Sequence, residues 1–291
     1  MSNSSLTKAR VVKNDEFYTL LADIEAELIH YKDHFRGRVV YCNCDDVHRS
    51  NFATFFRDRF EEYGLKKLIV TSYKAGALTT KIYEKTVDHT RVTIARGDGS
   101  YTSSACLLSL QEADVVVTNP PFSLFREYLA TLVRYGKSFL IIGSMNAITY
   151  KQVFPLIQQN KLWLGVNNVK TFTQPDGTKK KFGNICWFTN LTHYKRNTPI
   201  DLHKQYSSAE YPMYDNYRAI EVSKVKDIPS DYFSVMGVPI TFLEKYNPSQ
   251  FEIIVIANNA RSIGCDCRTI INGQPVYNRI IIKRKDIQDE S

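Results

Sequence analysis

The sequence predicts an α/β fold in which a mostly parallel sheet is covered by helices on both faces. Strand-like and helix-like segments alternate through residue 160, as they do in chains built from strand–helix–strand units. Three strand-like segments, at 38–43, 113–119 and 138–144, are almost continuously apolar. Such runs are typical of parallel strands that are buried on both faces.

The predicted elements follow one another in a regular order. The strand-like segments occupy residues 38–43, 66–73, 91–96, 113–119 and 138–144. The helix-like segments occupy residues 16–33, 50–63, 103–112 (a helix or a turn), 123–136 and 149–160. The first helix is amphipathic, because apolar residues recur at helical spacing from Phe17 to Leu28.

The pattern changes after about residue 165. Two strand-like segments flank a turn at Pro175-Asp176-Gly177, which predicts a β-hairpin that closes the sheet. Residues 195–275 are rich in Tyr, Asn, Pro and charge, and a last strand is expected at 278–285. We therefore predict a core at 10–195 and a C-terminal extension at 196–291, with a soft boundary.

The composition limits the class of protein. The 291 residues allow one large domain, or a core with a smaller appendage. The formal net charge is +8, which is compatible with a polyanionic partner but is also common in proteins that bind no nucleic acid. No segment reads as a signal peptide or a membrane span, so we expect a soluble, cytoplasmic protein.

The six cysteines include two Cys-x-Cys pairs, Cys42 with Cys44 and Cys265 with Cys267. Structural zinc sites usually have two to four residues between paired ligands and add histidines or a second close pair. We therefore expect reduced, structural thiols and no bound metal.

The sharpest feature is Asn119-Pro120-Pro121-Phe122, which directly follows an apolar strand. In an open parallel sheet, ligands bind outside the carboxyl ends of the strands. The Asn119 side chain and the Pro120 carbonyl offer two hydrogen-bond acceptors for a planar amine, and Phe122 offers a flat face for stacking. The alternative is an ordinary turn that ends the strand, since Asn-Pro and Pro-Pro are common in loops.

The same four residues resemble the (Asp/Asn/Ser)-Pro-Pro-aromatic signature of amino-group DNA methyltransferases. The resemblance to the EcoRI-type adenine-specific methyltransferases covers nearly all of the chain. Its segments are KNDEFYT at 13–19, VVYCNCDD at 39–46, GDGS at 97–100, TNPPFSLFREY at 118–128, NAITY at 146–150, GNICWFTNL at 183–191 and GVPITFLEKYNP at 237–248. The motif order resembles the gamma arrangement, in which the target-recognition region lies at the C-terminal end.

This resemblance implies a Rossmann-like core that uses S-adenosylmethionine. The implied reaction is methyl transfer to the exocyclic N6 amine of an adenine that is flipped out of DNA. The enzyme would be part of a restriction–modification system or derived from one. The implied catalytic residues are Asn119, Pro120, Pro121 and Phe122.

The resemblance also implies residues that hold the cofactor. Those expected at its methionine part are Asp15, Glu16, Phe17, Tyr18 and Thr19. Asp98 falls where an acidic side chain accepts from the amino group of the cofactor's adenine. The alternatives are helix capping for the first segment and a plain turn for Gly97-Asp98-Gly99.

One departure from most methyltransferases concerns the turn after the first strand. A Gly-x-Gly usually stands there, whereas this chain has Asn43-Cys44-Asp45-Asp46. S-adenosylmethionine carries no phosphate, so a phosphate-cradling glycine loop is not required. We expect Asn43, Asp45 and Asp46 at the cofactor, with Asp45 or Asp46 receiving the ribose hydroxyls or the cationic α-amino group.

Basic residues after the catalytic motif are the expected contacts for DNA. The residues expected to bind nucleic acid are Lys179, Lys180, Lys181, Lys195, Arg196, Arg261 and Arg268. Of these, Arg261 and Arg268 are candidates for reading bases. The alternative for Lys179–Lys181 is a solvated hairpin.

Two other functions stay open at this point. The catalytic motif also suits a methyltransferase that acts on another planar amine or amide, in an RNA base, a cytosine or a protein glutamine. The second open function is that of a non-catalytic nucleic-acid-binding protein with a decayed cofactor site. The expected partner is double-stranded DNA, and a cognate restriction endonuclease would act on the same site without binding this chain. We expect a monomer, because one chain holds both the catalytic and the recognition parts.

Overall fold

The computed structural model describes residues 18–43, 48–174, 177–257 and 268–285. The chain divides into two compact units. The first unit comprises Met1–Ala147 with Gly165–Leu191, and the second comprises Ile148–Leu164 with Thr192–Ser291. The assignment of catalysis to 10–195 and of recognition to 196–291 stays a prediction.

The first unit is built around one large sheet. Its strands are β1 (Tyr18–Thr19), β2 (Val39–Cys42), β3 (Lys67–Thr71), β4 (Thr79–Lys85), β5 (Thr90–Arg96), β6 (Val115–Thr118), β7 (Ser138–Ser144), β8 (Trp163–Thr173) and β9 (Lys179–Thr189). Its helices are α1 (Leu21–Leu28), α2 (Lys32–Phe35), α3 (Asn51–Asp58), α4 (Ser104–Glu112) and α5 (Phe125–Arg134). Short 3-10 helices occur along the whole chain at Ile29–Tyr31, Phe122–Leu124, Met145–Thr149, Tyr194–Asn197, Val225–Asp227 and Ile240–Glu244.

The nine strands of this sheet lie in the order β1-β8-β9-β7-β6-β2-β3-β4-β5. The pairs β2–β3, β2–β6 and β6–β7 are parallel. The pairs β3–β4, β4–β5, β7–β9 and β1–β8 are antiparallel. The α/β class is confirmed, but the expectation of a mostly parallel sheet is wrong, because the sheet is mixed.

The source of this error is the hairpin of β4 and β5. The sequence reading placed one short extended segment at 91–96 and missed β4. Polar residues dominate β4, and β5 is largely exposed, including Val92 and Ile94. A strand without a continuous buried face has little of the apolar pattern that predicts strands.

Some helices are shorter than their apolar patterns suggest. Tyr18 and Thr19, expected within the first helix, form β1 instead, and α1 begins at Leu21. The helix expected at 50–63 is α3, which begins directly after Ser50. The Ser50 side chain accepts from the backbone N–H groups of Phe52 (3.1 Å) and Ala53 (3.3 Å). N–H groups in the first turn of a helix have no carbonyl partner within the helix, so Ser50 caps them.

A buried carboxyl group joins α1 to β8. Glu27 on α1 accepts hydrogen bonds from the backbone N–H groups of Val166 and Asn167, both at 2.7 Å, and from the Tyr31 hydroxyl at 2.9 Å. Burial raises the pKa of Glu27, and the hydrogen bonds oppose that rise. A β-carbon on Gly165 would lie 2.3 Å from Oε1 of Glu27, so the close approach of α1 to β8 requires glycine there.

The second unit has a smaller sheet of its own. Its strands are β10 (Ile220–Glu221), β11 (Val235–Pro239), β12 (Phe251–Ala257), β13 (Ile270–Ile271), β14 (Gln274–Pro275) and β15 (Arg279–Arg284), and its helix is α6 (Phe154–Gln158). The order β10-β11-β15-β12 makes a four-stranded sheet, and β13 pairs with β14. The predicted strand at 278–285 is therefore confirmed as β15, whereas β11 and β12 were not foreseen.

A buried ion pair links two strands of this smaller sheet. Arg279 on β15 donates to Glu221 on β10, with an Nη2–Oε1 distance of 2.7 Å. The Tyr214 hydroxyl also donates to Glu221. Because a buried charge is tolerated only when it is paired and hydrogen-bonded, this arrangement fixes the register of β10.

Candidate active site

The parallel strands of the first unit bring their carboxyl ends to one edge of the sheet. Strand β3 lies next to β2 on one side, and β6 followed by β7 lies on the other side of β2. The strand order therefore reverses between β2 and β6. Ligands of open α/β sheets bind in the crevice outside the carboxyl ends of the strands at such a reversal. We call this edge the carboxyl edge.

The four predicted catalytic residues follow β6 at the carboxyl edge. β6 ends at Thr118, so Asn119 is the first residue beyond the strand, and its Oδ1 atom is buried. Pro120 is buried and Pro121 is half-buried. Phe122 opens the 3-10 helix that precedes α5. The sequence reading thus located the motif correctly relative to the sheet.

The Phe122 ring contacts two other aromatic rings. Phe172 on β8 and Phe182 on β9 have centroids 6.2 and 6.5 Å from that of Phe122, and both planes are 87° from the plane of Phe122. Phe172 and Phe182 also contact each other at 5.6 Å. Edge-to-face pairs of this kind are favourable and restrict the orientation of the rings. Strands β8 and β9 therefore hold the aromatic residue of the motif.

Two of the predicted cofactor residues, Tyr18 and Thr19, form β1. Thr19 lies opposite Phe172 in the β1–β8 pair, next to the aromatic cluster of Phe122. Its carbonyl accepts from Nδ2 of Asn51 at 2.7 Å. Its hydroxyl is buried and has no hydrogen-bond partner among the described residues. A buried hydroxyl that lacks a protein partner fits contact with a polar ligand, because an unpaired buried polar group is costly.

Asn43 lies where β2 ends and is almost fully buried. Its carbonyl accepts from the Thr118 hydroxyl, and its Oδ1 accepts from the Thr71 hydroxyl at 3.4 Å. The predicted cofactor residues Asp15, Glu16, Phe17, Asp45 and Asp46 lie outside the described residues.

Asp98 stands in a glycine-rich turn beside the carboxyl end of β3. Its Oδ1 accepts from the backbone N–H of Ser100 at 2.9 Å, and its carbonyl accepts from the backbone N–H of Lys74 at 2.9 Å. The turn therefore orients the Asp98 carboxyl group. Asp98 is half-buried, so part of it is accessible. A fixed, partly accessible carboxylate is suited to accept hydrogen bonds from a ligand amine.

Gly99 explains how this turn reaches the strand. Its φ is +78°, and a β-carbon there would lie 1.8 Å from the carbonyl oxygen of Ser72. The Thr80 hydroxyl donates to the same oxygen at 2.7 Å. The turn can therefore lie directly against the end of β3 only with glycine at position 99.

Several residues that join these turns are not predicted by the sequence. Tyr41, Thr71, Cys106 and Thr118 are all fully buried. Sγ of Cys106 lies 3.4 Å from the carbonyl oxygen of Gly99 and 3.6 Å from the Thr71 hydroxyl, either of which can accept its one hydrogen. The Tyr41 hydroxyl lies 2.8 Å from that of Thr71. The only sequence signal was the position of Thr71 and Thr118 near the ends of apolar runs, where either reads as an ordinary strand residue.

The predicted DNA-binding residues of the first unit lie on β9. Lys179 and Lys181 are exposed, and Lys180 is half-buried. The Lys180 ammonium lies 5.3 Å from the centroid of the Phe182 ring. The basic run is therefore joined to the aromatic cluster that holds Phe122.

The predicted DNA-binding residues of the second unit have different surroundings. Lys195 is half-buried beside a cavity of about 390 Å³ that Lys226 and Lys245 also line. Arg268 is half-buried, and its carbonyl accepts from Nδ2 of Asn216 at 2.8 Å. Arg261 lies outside the described residues.

Arg196 differs from the other predicted contacts because it is buried. Its guanidinium lies 3.9 Å from the Trp163 ring centroid and donates to Oδ1 of Asn160 at 2.9 Å. Burial lowers the pKa of Arg196. The contact of Arg196 with DNA stays a prediction.

Three cysteines, Cys42, Cys106 and Cys186, are buried free thiols. Cys44, Cys265 and Cys267 lie outside the described residues, so the predicted role of the two Cys-x-Cys pairs is not tested. In the described parts of the chain, no group of three or more His, Cys, Asp or Glu residues is arranged to hold a metal ion. None of the helices within the described ranges is long and apolar enough to cross a membrane.

Comparison with known proteins gives a consistent result. A family model described as "Adenine-specific methyltransferase EcoRI" matches residues 5–95 and 83–285. The chain is 44% identical to "Type II methyltransferase M.EcoRI" of Escherichia coli, over 99% of this chain and 98% of that protein. It is 38% identical to "Type II methyltransferase M.MpnI" of Mycoplasma pneumoniae, over 96% of this chain and 97% of the relative. No solved structure shows a significant match.

We predict that Gly99→Ala destabilises the first unit much more than Gly76→Ala does. Both glycines have positive φ (+78° and +73°), but a β-carbon at position 76 meets no atom within 4 Å. The backbone conformation alone should cost about 1–2 kcal/mol in each variant. The clash with Ser72 should add about 2 kcal/mol or more in Gly99→Ala. Urea unfolding of the two variants measures the difference, and equal losses would contradict the close approach of this turn to β3.

Proposed function

Because this chain belongs to the EcoRI family of adenine-specific methyltransferases, we propose that it methylates the exocyclic N6 amine of an adenine in double-stranded DNA. The protein is a DNA methyltransferase of the restriction–modification type, and this family uses S-adenosylmethionine as methyl donor. The observation that carries the finer proposal is the position of Asn119 directly after β6, at the reversal of the strand order.

Asn119 and Pro120 are the proposed acceptors of the target amine. The lone pair of an adenine amine is delocalised into the ring, so the nitrogen is a poor nucleophile. Two fixed acceptors, Oδ1 of Asn119 and the carbonyl of Pro120, can hold both amine hydrogens and favour a tetrahedral nitrogen with a localised lone pair. Pro121 stiffens the turn that carries them. In this account the rate acceleration comes from positioning and from electrostatic stabilisation.

Phe122 is the proposed stacking surface for the target base. A base inside a duplex is inaccessible, so the nucleotide must be flipped out, which costs on the order of a few kcal/mol. Stacking on an aromatic ring offsets about 1–3 kcal/mol of this cost. The perpendicular rings of Phe172 and Phe182 support the role, because they restrict the ring that would receive the base.

Residues along the carboxyl edge are the proposed cofactor contacts. S-adenosylmethionine, when bound, supplies a methyl group that is activated by the positive sulfonium. The Thr19 hydroxyl and the Asp98 carboxylate would bind its polar ends, and Asn43, at the end of β2, is a further proposed contact. The buried Thr19 hydroxyl supports this fit, because it has no partner in the described part of the chain. Tyr18, and the undescribed positions Asp15, Glu16, Phe17, Asp45 and Asp46, stay predicted cofactor contacts.

We propose that the basic run on β9 contacts DNA phosphates. Lys179, Lys180 and Lys181 continue the strand that supplies Phe182 to the cluster around Phe122. Phe182 of β9 contacts the proposed base-stacking residue, and the exposed lysines stand one and three residues before it on the same strand. Such a strand can hold the DNA backbone near a flipped nucleotide.

The C-terminal extension, 196–291, is proposed to read the target sequence. Arg268 and the undescribed Arg261 are its candidates for reading bases. Arg196, and Lys195 directly before the extension, stay predicted contacts for DNA. We further propose that the chain acts as a monomer and that it acts on DNA in the cytoplasm. A cognate endonuclease would cut the same sequence without forming a complex with this chain.

We predict that Asn119→Ala abolishes methyl transfer but leaves the affinity for S-adenosylhomocysteine within about threefold, because one amine acceptor is lost and the cofactor contacts remain. Asn119→Asp should retain more activity, since a carboxylate still accepts. N6-methyladenine in unmethylated genomic DNA, measured by nucleoside mass spectrometry, is the readout. Wild-type activity in Asn119→Ala would exclude the acceptor role, and a modified base other than adenine would exclude the proposed target.

We predict that replacing Lys179, Lys180 and Lys181 together with Gln weakens DNA binding and reduces its dependence on salt. Each lysine that contacts a phosphate contributes about one unit to the slope of log K against log [salt]. The matched control replaces Arg36, Arg38 and Lys66 with Gln, which removes the same charge from exposed positions before β2 and β3, at the opposite edge of the sheet. Fluorescence anisotropy at several salt concentrations measures the slopes. Equal slopes for both triple variants would contradict a phosphate contact by the β9 lysines.

A further inference from the structure

We propose that Thr118 is a positioning residue for methyl transfer, whose hydroxyl fixes the start of the Asn119 turn against Asn43 at the end of β2. The inference rests on the proposed role of Asn119. In this proposal Thr118 does not contact the target base, but it positions Asn119, which does.

The bond lies at the point where β2 and β6 separate. The two strands pair in parallel, with Val40 opposite Val115 and Tyr41 opposite Val116. Two residues further in the same register, the Thr118 hydroxyl donates to the carbonyl of Asn43. A side chain thus joins the two strand ends at the reversal of the strand order, where the ligand crevice opens.

The partner of Thr118 is itself held from the other side. The Thr71 hydroxyl donates to Oδ1 of Asn43 at 3.4 Å, and the Tyr41 hydroxyl lies 2.8 Å from that of Thr71. Cys106 extends the same network to the carbonyl of Gly99, beside Asp98. One buried network therefore spans the ends of β6, β2 and β3 and the turn that carries the proposed adenine contact of the cofactor.

Packing alone does not account for a threonine at position 118. The three preceding residues of β6 are valines, and Thr118 is as fully buried as they are. Valine has nearly the same shape, and it would fill the position without burying a hydroxyl, which is costly unless it is paired. The hydroxyl adds a hydrogen bond of defined direction, because it donates to one specific carbonyl, that of Asn43.

The next residue along the chain is Asn119, so a shift of Thr118 moves the proposed amine acceptor. A misplacement of about 1 Å at a catalytic group can lower the rate on the order of a hundredfold. Loss of the Thr118–Asn43 bond should therefore reduce the turnover number more than it weakens cofactor binding.

Thr189 provides a matched control within the same sheet. It is also fully buried, and its hydroxyl donates to the carbonyl of Phe139 on the neighbouring strand at 2.7 Å. Phe139 lies near the start of β7, so this bond is at the edge opposite the carboxyl edge. Both Thr118→Val and Thr189→Val remove a hydroxyl that donates to a carbonyl of the neighbouring strand, and only the first lies next to Asn119. The Thr189 hydroxyl also accepts from the backbone N–H of Leu191 at 3.0 Å, so the control removes at least as much hydrogen bonding.

The experiment compares Thr118→Val, Thr118→Ser and Thr189→Val with the wild-type full chain. Turnover is measured with unmethylated genomic DNA and saturating S-adenosylmethionine, and S-adenosylhomocysteine binding and the Tm are measured in parallel. We expect Thr118→Val to lower the turnover number about ten- to a hundredfold and to raise the Kd for S-adenosylhomocysteine by a smaller factor. Thr118→Ser should restore turnover to within about threefold. Thr189→Val should keep turnover within about threefold of wild type while lowering the Tm.

Three results would overturn the proposal. The first is a turnover number of Thr118→Val equal to that of Thr189→Val. The second is a loss of turnover in Thr118→Val that is explained by unfolded protein. The third is failure of Thr118→Ser to restore activity. Asn119→Ala separates this inference from the proposed function. If Asn119→Ala is inactive and Thr118→Val is not impaired, only the positioning role fails. If Asn119→Ala is active, the proposed role of Asn119 as an acceptor of the target amine is wrong, and the positioning role of Thr118 that rests on it is wrong too.

Discussion

The separation of β2 from β6 is the constraint on which the rest of the site depends. Backbone pairing holds these strands together through residues 41 and 116, and the Thr118 hydroxyl joins their ends two residues later. Beyond that bond the chain after β6 enters the turn that carries Asn119, and Asn43 stands at the end of β2. Ligands of open α/β sheets bind outside the strand ends at such a reversal. The residues proposed for the cofactor and for the target amine therefore face a common edge.

The antiparallel strands added to the parallel core have a functional consequence as well as a structural one. β8 and β9 place Phe172 and Phe182 against Phe122, and β1 adds Thr19 beside Phe172. The buried Glu27 anchors α1 to the start of β8, so the segment after β1 is tied to the same strand. The proposed contacts Thr19, Phe122 and Lys180 thus all adjoin β8 and β9, which suits a reaction whose rate depends on position.

Local sequence patterns predicted the elements that are buried on both faces and the motif that is contiguous. The parallel strands β2, β6 and β7 are continuous apolar runs, and Asn119–Phe122 are adjacent in the chain, so both could be read directly. β4 and β5 are polar or exposed, and β11 and β12 lie in a region of weak periodicity, so their patterns were not visible. The Thr118–Asn43 bond and the contact of Gly99 with Ser72 join residues 75 and 27 positions apart, and no local pattern encodes such pairs.

The most direct test of the account is a crystal structure of the protein with S-adenosylhomocysteine. We predict that the ligand lies outside the carboxyl ends of β2, β3 and β6. The purine amino group should then contact the Asp98 carboxylate, and the homocysteine part should lie beside Thr19. The sulfur should point toward the turn that carries Asn119. A ligand bound at the opposite edge of the sheet, or one that leaves Asp98 and Asn119 on separate surfaces, would contradict it.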